Sequence, residues 1–163
     1  MSRFQRPALR LLLLLASALL YVGCDSVNCP LNSNVAAVYK FFDSSGKSFV
    51  LADELTVTAC GTDSVLMNRL TRANSMSLPL SYYSACDTLL FTLTDADGFS
   101  ATDTVWIEKQ STPHAEDPSC PIHVWHRINR VRHTSLLIDS IGIVNPTVNF
   151  DGSDTFSIYF ITE

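Results

Sequence analysis

Beyond residue 34 the chain is written in short stretches where apolar and polar residues alternate with a period of two, and no long stretch carries the spacing of an amphipathic helix. Val35 to Phe42 is the first strand candidate, ending at the turn Asp43-Ser44-Ser45-Gly46, with Phe49 to Leu51 returning from it. Leu55, Val57 and Ala59 alternate with Thr56, Thr58 and Cys60 before Gly61-Thr62-Asp63 breaks the run. After a less regular stretch, Met76, Leu78 and Leu80 alternate again. Thr88 to Thr94 and Thr102 to Lys109 form two strands across Asp95-Ala96-Asp97-Gly98, a strong hairpin signal. Ile122 to Ile128 places Ile122, Val124, His126 and Ile128 on one face, and Leu136 to Val144 and Phe156 to Ile161 supply the last strands. Ser111 to Ser119, with Pro113, His114 and Pro118, is expected to be an exposed loop. Seven or more short strands without intervening helices predict an all-β fold, an antiparallel sandwich or barrel-like sheet.

The N-terminus has a different pattern. Arg3, Arg6 and Arg10 precede the apolar run Leu11 to Val22, the layout of a signal peptide. As a helix this run would reach about 18 Å, short of a hydrocarbon core of about 30 Å. Its end, Leu20-Tyr21-Val22-Gly23-Cys24, resembles the lipobox of bacterial lipoproteins, with Tyr21 where the motif usually has an aliphatic residue. The resemblance implies cleavage after Gly23 and lipid on Cys24, so that 1–23 is a signal peptide, 24–31 a lipidated tether and 32–163 a single β-rich domain.

Assigning Cys24 to lipid leaves Cys29, Cys60, Cys86 and Cys120, an even set in an exported chain, and hence two expected disulfides. Three pairings are possible, of which Cys60 with Cys86 and Cys29 with Cys120 are preferred. No CxxC pair supports a zinc site. Of 11 basic and 16 acidic side chains, residues 1–23 contain three arginines and no acid, so the mature chain keeps 8 basic side chains and a formal charge near −8. Nucleic acid is therefore a poor partner. Arg127, Arg130, Arg132, His126 and His133 form one basic island, read as a solvated strand face or as the partner of nearby acids.

Three segments carry a wider resemblance. Cys24-Asp25-Ser26-Val27-Asn28-Cys29-Pro30, Ser77-Leu78-Pro79-Leu80, and Ile138-Asp139-Ser140-Ile141-Gly142-Ile143-Val144-Asn145-Pro146 followed by Ile158-Tyr159-Phe160 look like an uncharacterised family of small Bacteroidota lipoproteins. The resemblance implies an envelope address and a β-rich fold, with no activity or cofactor to carry over. Only Asp25 stands for the acidic run that follows the lipid cysteine in surface-exported lipoproteins of that phylum, so attachment to the outer membrane facing the periplasm is expected. Thr92 to Val105 also resembles the hairpin of immunoglobulin-like modules in secreted bacterial proteins.

Other constellations are weaker. Asp95, Asp97 and Gly98, with Asp103 nearby, resemble part of a calcium loop, but an EF-hand register would put Leu93 and Thr104 at ligand positions. On a strand His123 and His126 face opposite ways, and His114 with Glu116 and Asp117 sits in the expected loop, so no metal site is expected. No GxSxG, HExxH or phosphate loop occurs. Among the aromatics, Tyr82, Tyr83, Trp106 and Trp125, with Tyr159, are candidates for a glycan or peptide platform, though such residues usually pack in a core or rim. The sequence thus predicts a membrane-anchored, non-enzymatic envelope lipoprotein of structural or interaction type, with an envelope protein as a candidate partner. A glycan- or peptide-binding immunoglobulin-like module is the alternative. A hydrolase, the third reading, would need a pocket uniting one of the four histidines with a carboxylate and a nucleophile.

Overall fold

The computed structural model describes Cys29 and residues 35–162; Cys24, the expected signal peptide and the rest of the expected tether lie outside the described residues. Ten strands follow one another: β1 (Ala36–Phe42), β2 (Glu54–Ala59), β3 (Ser64–Leu70), β4 (Ser75–Pro79), β5 (Cys86–Thr94), β6 (Ser100–His114), β7 (His123–His133), β8 (Ile138–Ile143), β9 (Thr147–Val148) and β10 (Asp154–Phe160). They form a four-stranded sheet in the order β4-β1-β10-β8 and a curled six-stranded sheet in the order β3-β2-β5-β6-β7-β9. Among the described residues there is no helix, and hence none long and apolar enough to cross a membrane. The fold is all-β, as the alternation predicts. It departs from a purely antiparallel arrangement at one place, where β1 and β10 run parallel with Tyr39 beside Phe156 and Phe41 beside Ile158.

The core lies between the sheets and consists of the inward phase of each strand: Tyr39 and Phe41 of β1, Phe156, Ile158 and Phe160 of β10, Leu55 and Val57 of β2, Phe91 of β5, and Val105 and Ile107 of β6. Tyr39 stacks on Phe156 within its own sheet at 4.9 Å and meets Phe91 of the facing sheet at 6.2 Å. Each such ring removes an aromatic surface from water, worth about 1.5–3 kcal/mol. The predicted hairpin is present: the Asp95 carboxylate accepts from the backbone N–H groups of Asp97 (2.9 Å) and Phe99 (3.0 Å), and Gly98 supplies the required φ of 88°. That carboxylate serves the turn.

Two expectations are corrected. Strand β6 does not stop at Lys109 but continues to His114, pairing Pro113 with Val124, so the first residues of the expected loop are strand. Proline is tolerated there because the Lys109 N–H points toward β5, bonding Ala85 at 2.8 Å, and the nitrogens of residues 111 and 113 point the same way, past the start of β5 at Cys86. The second correction concerns cysteine. Cys29 and Cys120 form the expected disulfide, with Cα atoms 5.5 Å apart, whereas Cys60 and Cys86 are free thiols. Cys60 donates its N–H to Thr88 O at 2.8 Å and so stands opposite Thr88, which makes Cys86 a diagonal neighbour. Diagonal positions lie about 7–8 Å apart, beyond the usual span of a disulfide.

Cys29 and Cys120 are 91 residues apart, so the bond constrains a long loop in the unfolded chain, worth about 4–5 kcal/mol in the chain-entropy account. Cys120→Ser is expected to lower the unfolding free energy by that order in a urea titration. An unchanged midpoint would show that the bond stabilises nothing.

Candidate functional site

The chain between β4 and β5 is held by a buried polar cluster. Lys109 and Asp87 occupy inward positions on β6 and β5, where the alternation calls for apolar residues. The Lys109 ammonium, with no side-chain exposure, donates to Asp87 Oδ1 at 2.8 Å and to Ser84 O at 2.7 Å. The other Asp87 oxygen accepts from Ser81 N–H at 3.1 Å. One ion pair thus fixes both ends of the Ser81–Ser84 turn. Beside it, His126 on the inward face of β7 shares a 2.9 Å hydrogen bond between Nδ1 and Ser111 Oγ, while its Nε2 and the Tyr39 hydroxyl are buried without partners. Burial, then the Lys109 ammonium, holds the His126 pKa below the ordinary imidazole value against a smaller upward pull from Asp87. Burial, then the Asp87 carboxylate, pushes the Tyr39 phenol up.

The predicted aromatic platform is divided. Tyr82 lies parallel to the His126 ring at 6.1 Å, and Tyr83 beside it is almost fully exposed. Trp106 and Trp125 sit elsewhere, on the outer face of the six-stranded sheet. Trp106 is covered by the Arg132 guanidinium at 5.4 Å. Trp125 stacks on His114 at 3.5 Å and meets the edge of Phe150. Tyr159 is in the other sheet, stacked on Phe42. The four platform residues therefore do not share one surface, although the two indoles do share a face.

The basic island is reorganised by a feature that the sequence reading missed. His126 and Ile128 face inward, and strict alternation would turn Arg130 and Arg132 inward as well. A bulge opposite Glu108 and Lys109 takes up one extra residue, Asn129, and restores Val131 to the core side against Ile107. Arg127, Arg130 and Arg132 consequently all project outward, opposite Gln110, Glu108 and Trp106. All three are exposed. Arg132 lies 3.4 Å from Glu108, whereas among the described residues Arg127 and Arg130 have no acidic partner within 4.0 Å. The remaining histidines are dispersed: His123 meets Phe150, His114 lies 3.1 Å from Glu116, and His133 bonds Thr134 O.

The two free thiols both line a cleft of about 360 Å³ at one margin of the sandwich, with Leu66, Leu80 and Leu89 as its apolar wall. Among the described residues no cluster of three or more His, Cys, Asp or Glu side chains is placed to hold a metal ion.

A sequence family accounts for most of these elements. The chain belongs to DUF6452, a family of unknown function. The match covers residues 54–160, from the start of β2 to the end of β10. The DUF6452 segment therefore contains the whole six-stranded sheet, the buried ion pair and the arginine row, and it omits β1, which occupies an inner position of the other sheet. No curated protein and no solved structure matches the chain.

Proposed function

We propose that this DUF6452 protein is a lipid-anchored envelope protein of structural or interaction type, cleaved after Gly23, acylated on Cys24, held on the outer membrane facing the periplasm, and without catalytic activity. The observation that carries the reading is the Cys29–Cys120 disulfide. A stable disulfide fits an exported protein in an oxidising compartment. It also fastens the chain, only five residues beyond the proposed lipid, to the β6–β7 connection. Five extended residues reach about 18 Å, so that end of the sandwich is kept close to the bilayer. Several acyl chains make such attachment effectively permanent, whereas one does not.

The inward face supports the non-catalytic part. Ser111 and His126 are the pair nearest to a nucleophile and base, but the second imidazole nitrogen has no carboxylate to orient it, and Asp87 is engaged with Lys109 and Ser81. Intact-mass measurement on the membrane fraction of the native host tests the anchor. The expected product begins at Cys24 and carries added acyl mass, and Cys24→Ser abolishes it. A soluble product without lipid would overturn the reading.

A further inference from the structure

The outer face of β6 and β7 has a composition that folding does not require. Two adjacent rows run along it: Trp106, Glu108, Gln110 and Thr112 on β6, opposite Arg132, Arg130, Arg127 and Trp125 on β7. The three guanidiniums thus lie in one line, with Trp106 beside Arg132 at one end and, at the other, Trp125, whose ring packs on His114 and Phe150 and whose Nε1 is buried. From Trp106 to Thr112, the partner of Trp125, is six residues, or about 20 Å of strand. Neighbouring arginines on this line are about 6–7 Å apart. Like charges at that spacing repel, and the one acid in the row, Glu108, stands opposite Arg130 and pairs with Arg132 at 3.4 Å, so a single carboxylate serves three guanidiniums. This happens in a chain where acidic side chains outnumber basic ones. The bulge at Asn129 brings the row together, and bulges commonly re-aim side chains next to functional sites.

We propose that this strip binds an acidic glycan, a chain of sugars bearing carboxylates, with the carboxylates on Arg127, Arg130 and Arg132 and a sugar face packed at Trp106 in place of the Arg132 guanidinium that covers it in the free protein. Guanidinium forks match carboxylates in two-point contacts, and an indole gives flat apolar area to a sugar ring. Gln110 and Thr112, both exposed, offer hydrogen bonds to hydroxyls between the charged points. The straight track suits an extended chain better than a globular partner. A nucleic acid duplex carries a charge every 1.7 Å or so and would be repelled by the acidic remainder of the protein, whereas an acidic glycan has at most one charge per sugar. A plane of lipid headgroups fits less well, because the strip starts near the connection that Cys120 ties to the proposed tether but runs about 20 Å away from it along β7, so a bilayer there would meet the Trp125 end and not all three arginines. The inference rests on the interaction reading above and names its partner. Only the argument against a lipid headgroup uses the anchor.

Titration of the full-length protein with polygalacturonate, followed by tryptophan fluorescence, tests it. Saturable quenching is expected, weakened by rising salt, with dextran inert. Arg127→Gln with Arg130→Gln is expected to lower the affinity about a hundredfold, roughly tenfold for each arginine, while leaving thermal unfolding unchanged, since an amide opposite Glu108 adds no like charge. Trp106→Leu is expected to remove most of the fluorescence response and to weaken retention on immobilised polygalacturonate. No binding, binding indifferent to the arginine pair, or equal or stronger binding to a DNA oligonucleotide or to phosphatidylglycerol vesicles would overturn the proposal. If polygalacturonate fails while the lipidated protein still crosslinks to an envelope protein, the glycan is wrong and the interaction reading stands.

Discussion

Lys109→Met is expected to lower the unfolding free energy by about 3–5 kcal/mol, because it leaves the Asp87 carboxyl group nearly buried and without its cation. Methionine has nearly the volume of the lysine stem, so little of the loss comes from packing. The backbone oxygen of Ser84 loses its donor too, freeing the turn that carries Tyr82 and Tyr83. Pairing the change with Asp87→Leu is expected to recover most of the loss, since two apolar side chains replace two charges that had to be taken out of water. Urea titrations of the three variants give this double-mutant comparison directly. In Lys109→Met the His126 pKa is expected to rise, as one of the causes holding it down is gone. A single-variant loss below about 0.5 kcal/mol, the scale of an ordinary surface change, would show that the pair is not the pin described above.

Asp103→Asn carries the second large effect. The Asp103 side chain is fully buried on β6 and gathers the start of the β8 segment: Oδ2 accepts the backbone N–H groups of Leu137 at 2.7 Å and Ile138 at 2.8 Å, and Oδ1 accepts Leu136 N–H at 2.9 Å and the Thr134 hydroxyl. Burial alone would raise the Asp103 pKa, but these donors outweigh it and hold the group below its ordinary value. An amide supplies one oxygen and turns a nitrogen toward donors that cannot accept it, for a loss of about 3 kcal/mol. The depressed pKa sets the pH dependence. The carboxylate's contribution is complete above the unfolded value near 3.9 and is lost as pH falls through the lower native value. Urea midpoints taken from neutral pH to about pH 3 are therefore expected to fall more steeply for the native protein than for Asp103→Asn. Parallel curves would assign the acid sensitivity to other carboxylates.

The sequence was most legible where one face of a strand is buried. The alternation of Leu55 to Ala59 marked β2 almost to the residue, and that of Thr102 to Lys109 marked the middle of β6 but not its extension to His114, because burial on one side imposes the period only where it lasts. β3 was not legible: it is an edge strand with residues of both phases part-exposed, and Asp63 and Arg69 adopt positive φ at its start and near its end. β9 has two residues and no period to read. Asp103 and Lys109 did leave a signal, two charges on the same phase as Val105 and Ile107. Their partners lie 22 to 35 residues away, so only the fold shows what neutralises them. The arginine row was hidden for a related reason, since a bulge leaves no mark in the alternation until the core side of β7 is known. The Cys29–Cys120 bond was among the possible pairings, but strand stagger decided against Cys60 with Cys86.

The parallel pairing of β1 with β10 fixes an order of events. The chain is synthesised N-terminus first, yet among the described strands the inner pair of the smaller sheet is the first and the last. β1 can find β4 early, but its other edge stays open until Phe160 has been delivered. The larger sheet, built largely from neighbours in sequence, has no such delay. Non-local pairing of this kind raises contact order and slows folding. During that interval the apolar face of β1 is the surface most in need of shelter, and tying Cys29 to Cys120 closes the chain just ahead of it.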